Sequence, residues 1–281
     1  MTDGATAAAH ETGDGPNSGR RTAVSDAGLE EERRVLALAP VAPPARGRYG
    51  DHPEQVYDLW PGDGPLVILL HGGFWRYDRT HLTPLAAHLA GHGFAVALPG
   101  FRLSGGTGGY PETFDDVALA LDTIPGGRPY VLAGHSSGGH LALWAGARGL
   151  LPPESPWFTA EPPPAVLALA PVADLTATVR DGLSDDAALQ LLGGPGHIED
   201  RLPLTDPITL VRTAGTTGVP TVLLHGEADE EVPPAQSTAY ATAHADAELL
   251  LLPGTGHYTP IEPGAEACRT MIDALKRLSR D

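Results

Sequence analysis

Apolar residues in this chain fall into short continuous runs separated by stretches of helical spacing. Residues 66–70, 94–98, 130–133, 165–170 and 219–224 are such runs, each closed by His, Gly or Pro. An uninterrupted apolar run of that length predicts a strand buried on both faces, the pattern of a parallel sheet. Residues 55–60 alternate instead and predict a half-buried strand, and 248–252 predicts a further strand. Helical spacing occupies 81–90, 114–121, 140–147, 236–244 and 265–278, with a short helix over 29–38. Strands alternating with helices make βαβ units, so the expected architecture is α/β: a mostly parallel sheet of about eight strands with helices on both faces.

Three stretches interrupt this alternation. Residues 1–30 are rich in Gly, Ala, Thr, Asp and Glu and hold no aromatic residue. They cannot bury enough apolar surface to offset ordering entropy, so they are expected to form a disordered tail before a single domain over 31–281. Residues 152–164 are proline-rich and carry Trp157 and Phe158, while 174–212 is polar and partly helical. Both follow expected strand ends and are candidates for a small cap over a site. Residues 40–48 read as a proline-rich connector.

Composition narrows the possibilities. The chain has 281 residues with a formal charge of −17, which repels phosphate backbones and anionic lipid. A single cysteine, Cys268, allows neither an internal disulfide nor a cysteine-rich metal site. No apolar run reaches the roughly 18 residues of a membrane span. Arg20-Arg21 lacks the apolar stretch that would follow in a twin-arginine signal. The expectation is a cytoplasmic protein with a small-molecule substrate and no nucleic-acid or membrane partner, a homodimer being left open. The 35 glycines and 28 prolines are about twice the usual share and predict many loops.

The chemistry is concentrated after four of the expected strands. The run 130–133 enters Gly134-His135-Ser136-Ser137-Gly138 and then a helix. G-x-S-x-G between a strand and a helix holds a serine on a sharp turn with its hydroxyl exposed and the helix N–H groups aimed at the same point. A serine needs a base, and the base needs a carboxylate to orient it. Asp229 follows the run 219–224, and His257 lies in a glycine-rich loop after 248–252. Order and position fit Ser136 as nucleophile, Asp229 as acid and His257 as base. Asp174 is an alternative acid, although its position better suits the start of a helix. His225 ends a strand and is expected to support the turn. After the run 66–70 comes His71-Gly72-Gly73-Phe74-Trp75, whose N–H groups at Gly73 and Phe74 are candidates, with that of Ser137, for an oxyanion hole. Trp75, Tyr77, Trp157, Phe158 and Tyr258, with Phe74, are candidates for an aromatic substrate pocket. Gly105–Gly109 does not open a helix in dinucleotide fashion, and His81, His88 and His92 read as a solvated helix face, so no metal or organic cofactor is expected.

Together these residues resemble the α/β-hydrolase superfamily from about residue 48 onward. Within it, His71-Gly-Gly-Phe-Trp75, Gly134-His-Ser-Ser-Gly-Gly-His140 and His257-Tyr-Thr-Pro260 are similar to the segments of the kynurenine formamidase (arylformamidase) and small carboxylesterase branch. Phe101 departs from the tyrosine usual there, and Gly105–Gly109 is extra. The resemblance implies the α/β-hydrolase fold and a serine hydrolase acting by acyl-enzyme chemistry. An arylformamidase-like enzyme is the first expectation. A carboxylesterase for small acyl esters is the alternative, as is a biosynthetic acyltransferase or cyclase that keeps the triad.

Overall fold

A computed structural model describes residues 24–280. The chain runs α1 (Asp26–Leu36), β1 (Ala45–Arg48), β2 (Val56–Trp60), β3 (Leu66–Leu70), α2 (Thr83–Gly91), β4 (Ala95–Pro99), α3 (Glu112–Thr123), β5 (Tyr130–His135) and α4 (Ser137–Gly146). It continues through β6 (Val166–Leu169), α5 (Leu175–Asp181), α6 (Leu183–Leu191), α7 (Ile198–Thr205), α8 (Pro207–Ala214), β7 (Thr221–Gly226), α9 (Ala235–Ala243), β8 (Ala247–Leu252) and α10 (Glu266–Leu278). The strands form one sheet in the order β1-β2-β4-β3-β5-β6-β7-β8. β2 is antiparallel to both β1 and β4, and β3 to β8 are parallel. This is the α/β-hydrolase architecture expected from the sequence.

The apolar runs become central strands because both of their faces are covered. Leu66, Ile68, Leu70 and Leu132 join one core cluster with α3 and α4, while Val67, Leu69, Val131 and Ala133 join another with α2 and α10. Neighbouring residues of one strand thus serve opposite cores, the two-residue period of a pleated strand. Every residue of α4 is buried, as suits a helix that is apolar on all sides. α10 instead buries one stripe, Cys268, Met271, Ile272, Leu275 and Leu278. Among the described residues, no helix is long and apolar enough to cross a membrane.

Three expectations change. The stretch 40–48, read as a connector, contains strand β1, paired to β2. Its sequence, Ala-Arg-Gly-Arg, has no apolar alternation because it is a mostly exposed edge strand, and charge there blocks further pairing. The short helix expected over 29–38 starts earlier, at Asp26, capped by the Ser25 side chain accepting from Gly28 N–H, so residues 26–28 are helix where only a tail was expected. The rest of the tail assignment, residues 1–23, lies outside the described residues. Third, 152–164 does not cap the sheet edge where β5, β7 and β8 end. Trp157 is buried against Phe114, Trp144 and Tyr110, and its indole N–H donates to Asp115 Oδ1 at 2.7 Å. The other candidate cap, 174–212, forms α5 to α8 and reaches the site described next.

Candidate active site

β5 ends at His135 and α4 begins at Ser137, leaving Ser136 on the turn at φ 56° and ψ −120°. A non-glycine residue at that φ is strained and persists only where its surroundings hold it. Here its N–H donates to Leu169 O at 2.9 Å, and its carbonyl accepts from His140 and Val172 N–H. The flanking glycines are required by contact: a Cβ on Gly134 would lie 2.2 Å from Gly138 O, and one on Gly138 2.3 Å from Leu70 O. The motif is therefore the sterically allowed way to cross from this strand to this helix.

The loop after β3 approaches the same turn. Gly73, Phe74 and Trp75 all have positive φ, at 98°, 49° and 61°. Trp75 N–H donates to Ser137 Oγ at 3.2 Å, fastening this loop to the first residue of α4. Gly73, Phe74, Ser136 and His257 line one cavity.

Asp229 is positioned in the turn after β7. Its Oδ1 accepts from Glu231 and Val232 N–H at 2.9 and 2.8 Å. Its Oδ2 lies 2.6 Å from His257 Nδ1 and 3.0 Å from His225 Nε2. Burial alone would push this carboxyl up, but His257 and His225 hold it well below the usual carboxylate range. Burial likewise lowers His257, yet the Asp229 charge and hydrogen bond outweigh it and leave the imidazole above its ordinary 6.5. The bond to an ionised Asp229 places the proton on His257 Nδ1 and leaves Nε2 as the basic nitrogen. No hydrogen bond joins Ser136 Oγ to His257 among the described residues; such bonds commonly tighten only once substrate is bound.

Residues 61–243, which include the Ser136 turn and Asp229, match the BD-FAE family. The chain belongs to that family. A truncated carbohydrate esterase from gut microbiota has the same fold, with TM-score 0.70 and 20% identity over 86% of this chain and 99% of that one. Esterase B from Lactobacillus rhamnosis superposes at TM-score 0.68 and 22% identity, over 90% and 92% of the two chains. Thermogutta terrifontis esterase 2 phosphoramylated by tabun gives TM-score 0.65 and 18% identity, over 85% and 94%. At these identities the likeness concerns the fold. No curated protein matches the sequence.

In this BD-FAE family member the expected aromatic pocket is only partly assembled. Tyr77 and Tyr258 line the cavity beside Phe74. Trp75 does not: it is fully buried, and its indole N–H donates to His140 Nδ1 at 3.2 Å. His140 Nε2–H donates in turn to Thr205 O, and burial lowers this imidazole to about 4, so it stays neutral. Trp157 is buried in the cluster beside α3 and α4, and Phe158 is exposed; neither lines the cavity. The Trp75 and Trp157 indoles are instead used for packing against α3 and α4. Asp174 is the N-cap of α5, accepting from Ala177 N–H at 2.7 Å, and does not meet His257. His225 supports the turn as expected, but it does so through Asp229 itself. Its Nε2–H is shared between Asp229 Oδ2 and Val232 O, and its Nδ1 accepts from Ser237 Oγ at 2.7 Å. His81, expected on a solvated helix, precedes α2 and lines the cavity.

The cavity has a volume of about 1350 Å³. One wall comes from Asp181–Ser184 at the α5–α6 junction and another from α1, with Leu29, Glu32 and Leu36. Sequence reasoning missed the second wall. The available signal was the apolar spacing of Leu29, Val35 and Leu36, obscured by the polar residues before it.

Proposed function

We propose that this BD-FAE family member is a carboxylesterase acting through an acyl-enzyme. Ser136 Oγ attacks the ester carbonyl as His257 Nε2 takes its proton. The N–H groups of Ser137, Gly73 and Phe74 receive the developing oxyanion. His257 then protonates the departing alcohol, and water, activated by the same nitrogen, releases the acid. Asp229 fixes the tautomer and stabilises the imidazolium. The observation carrying this reading is the 2.6 Å bond from His257 Nδ1 to Asp229 in a cavity also lined by the strained Ser136.

Two observations favour an ester over a formamide. The His71–Trp75 segment, which suggests an arylformamidase, has its Trp75 indole in the core, where it cannot sense the scissile group. The neighbours named above are esterases. The cavity's apolar rim, with Leu29, Leu36 and Tyr77 more than a third exposed, suits an ester bearing a bulky apolar group. The test is kcat/KM on p-nitrophenyl acetate and butyrate against N-formyl-L-kynurenine. Preference for the esters is expected. Preference for the formamide would replace this reading with the arylformamidase one. Turnover of neither, with Ser136 still labelled by a fluorophosphonate, would point to acyl transfer that excludes water.

A further inference from the structure

The loop carrying His257 is gripped by a side chain from the opposite end of the chain. Glu31, on α1, is 9% exposed. Its Oε1 accepts from Tyr258 N–H at 3.1 Å, Thr259 N–H at 2.6 Å and the Thr259 hydroxyl. These are the two residues directly after His257. The residue directly before it, Gly256, completes the fit: a Cβ there would stand 1.8 Å from Glu31 Oε2. Gly256 has no positive φ, so its lack of a side chain answers to the carboxylate and not to the backbone. Two outer contacts hold α1 in place, the Arg34–Glu262 ion pair at 3.0 Å and Ser25 N–H to Glu230 at 2.7 Å. α1 lies outside the stretch 61–243 that matches the family, so this grip is a feature of the chain beyond that shared core.

We propose that Glu31 is a positioning residue for the catalytic base: its carboxylate sets the path of residues 256–259 and thereby the place of the His257 ring relative to Ser136. This rests on the esterase reading above. A buried carboxylate on a polar helix is costly unless its acceptors are used, and all three donors here belong to one loop. On the other side, His135 Nε2–H donates to His257 O at 3.0 Å, so the loop is held from both flanks. Freeing one flank lets the imidazole drift, and a shift of about 1 Å at a catalytic group can cost on the order of 100-fold in rate.

The test is a mutant cycle read as kcat and KM on p-nitrophenyl butyrate. Glu31→Ala should lower kcat about 10- to 100-fold while KM moves less than about threefold. Glu31→Gln keeps Oε1 for all three donors and should stay within about threefold of wild type. Gly256→Ala expels the carboxylate without altering it and should match Glu31→Ala. The double variant should be no worse than either single one, because both remove the same contact. A Glu31→Ala enzyme with wild-type kcat, a Glu31→Gln enzyme as impaired as Glu31→Ala, or multiplicative losses in the double variant would each overturn the proposal. Wild-type protein inert on every ester would overturn the esterase reading instead. Positioning is then read from the His257 ring in NMR spectra, where Glu31→Ala but not Glu31→Gln should perturb the Nδ1–H signal; identical spectra in both would refute it.

Discussion

Replacing Asp229 by Asn tests the proton logic of the site atom by atom. One carboxylate oxygen accepts two backbone N–H groups, from Glu231 and Val232, and the other accepts ring N–H groups from His257 and His225. Asparagine keeps one acceptor and turns the other into a donor. Backbone N–H groups cannot change, so the amide oxygen faces them and the NH2 faces the imidazoles. His257 Nδ1 must then accept, which moves the ring proton to Nε2, the nitrogen needed as base. The same tautomer reversal in a serine triad costs about 10⁴ in kcat, equivalent to about 5 kcal/mol of transition-state stabilisation. The assay is kcat on p-nitrophenyl butyrate, with circular dichroism and a melting curve to confirm that the variant is folded. Fluorophosphonate labelling of Ser136 should slow in parallel. Asp174→Asn is the internal control: it keeps a good helix N-cap and should stay within about twofold of wild type. A folded Asp229→Asn enzyme within about tenfold of wild type would refute the reasoning.

Further expectations follow from the same contacts. In the proposed mechanism neutral His257 is the active form, and its imidazole is raised above 6.5, so kcat/KM should rise with pH through an apparent pKa above 6.5; a lower midpoint would contradict the Asp229 pairing. Trp75→Phe leaves His140 Nδ1 buried and unpaired, which should cost about 1–3 kcal/mol and lower Tm by several degrees with KM unchanged, whereas a raised KM would restore Trp75 to the substrate pocket. Leu29→Ala and Leu36→Ala should each reduce kcat/KM on long-chain esters about fivefold, roughly 1 kcal/mol, and leave acetate turnover unchanged; equal effects on both substrates would remove α1 from the binding wall. Burial raises Asp206 from 3.8 to about 6. The folded state therefore holds this proton more tightly than the unfolded one, and stability falls as pH rises between about 4 and 6. Denaturant unfolding of wild type against Asp206→Asn should show the wild type losing up to about 3 kcal/mol relative to the variant across that window, and a flat difference would contradict it.

The central strands were legible because each is buried on both faces and shows as an unbroken apolar run. The Ser136 turn was legible for a steric reason, since Gly134 and Gly138 leave no room for a Cβ. Asp229 and His257 could be picked out because both follow strand ends in the required order. β1 was not legible: an exposed edge strand needs no apolar side chains, only backbone partners. The cavity wall formed by α1 was hidden for a different reason. Glu31, Arg34 and Ser25 tie it to loops more than 200 residues away, contacts that no local pattern encodes. Trp75 and Trp157 mark a third limit. An aromatic residue beside a candidate motif, like Trp75, or in a candidate cap, like Trp157, is equally suited to the pocket or to the core, and here the indole N–H partners, His140 and Asp115, place both in the core.

Mass spectrometry of the intact protein after exposure to a fluorophosphonate, with peptide mapping, tests Ser136 as nucleophile most directly. One adduct per chain is expected, located on Ser136, absent in Ser136→Ala and strongly slowed in Asp229→Asn. Folded wild-type protein that takes no adduct, or takes it on another residue, would contradict the acyl-enzyme mechanism.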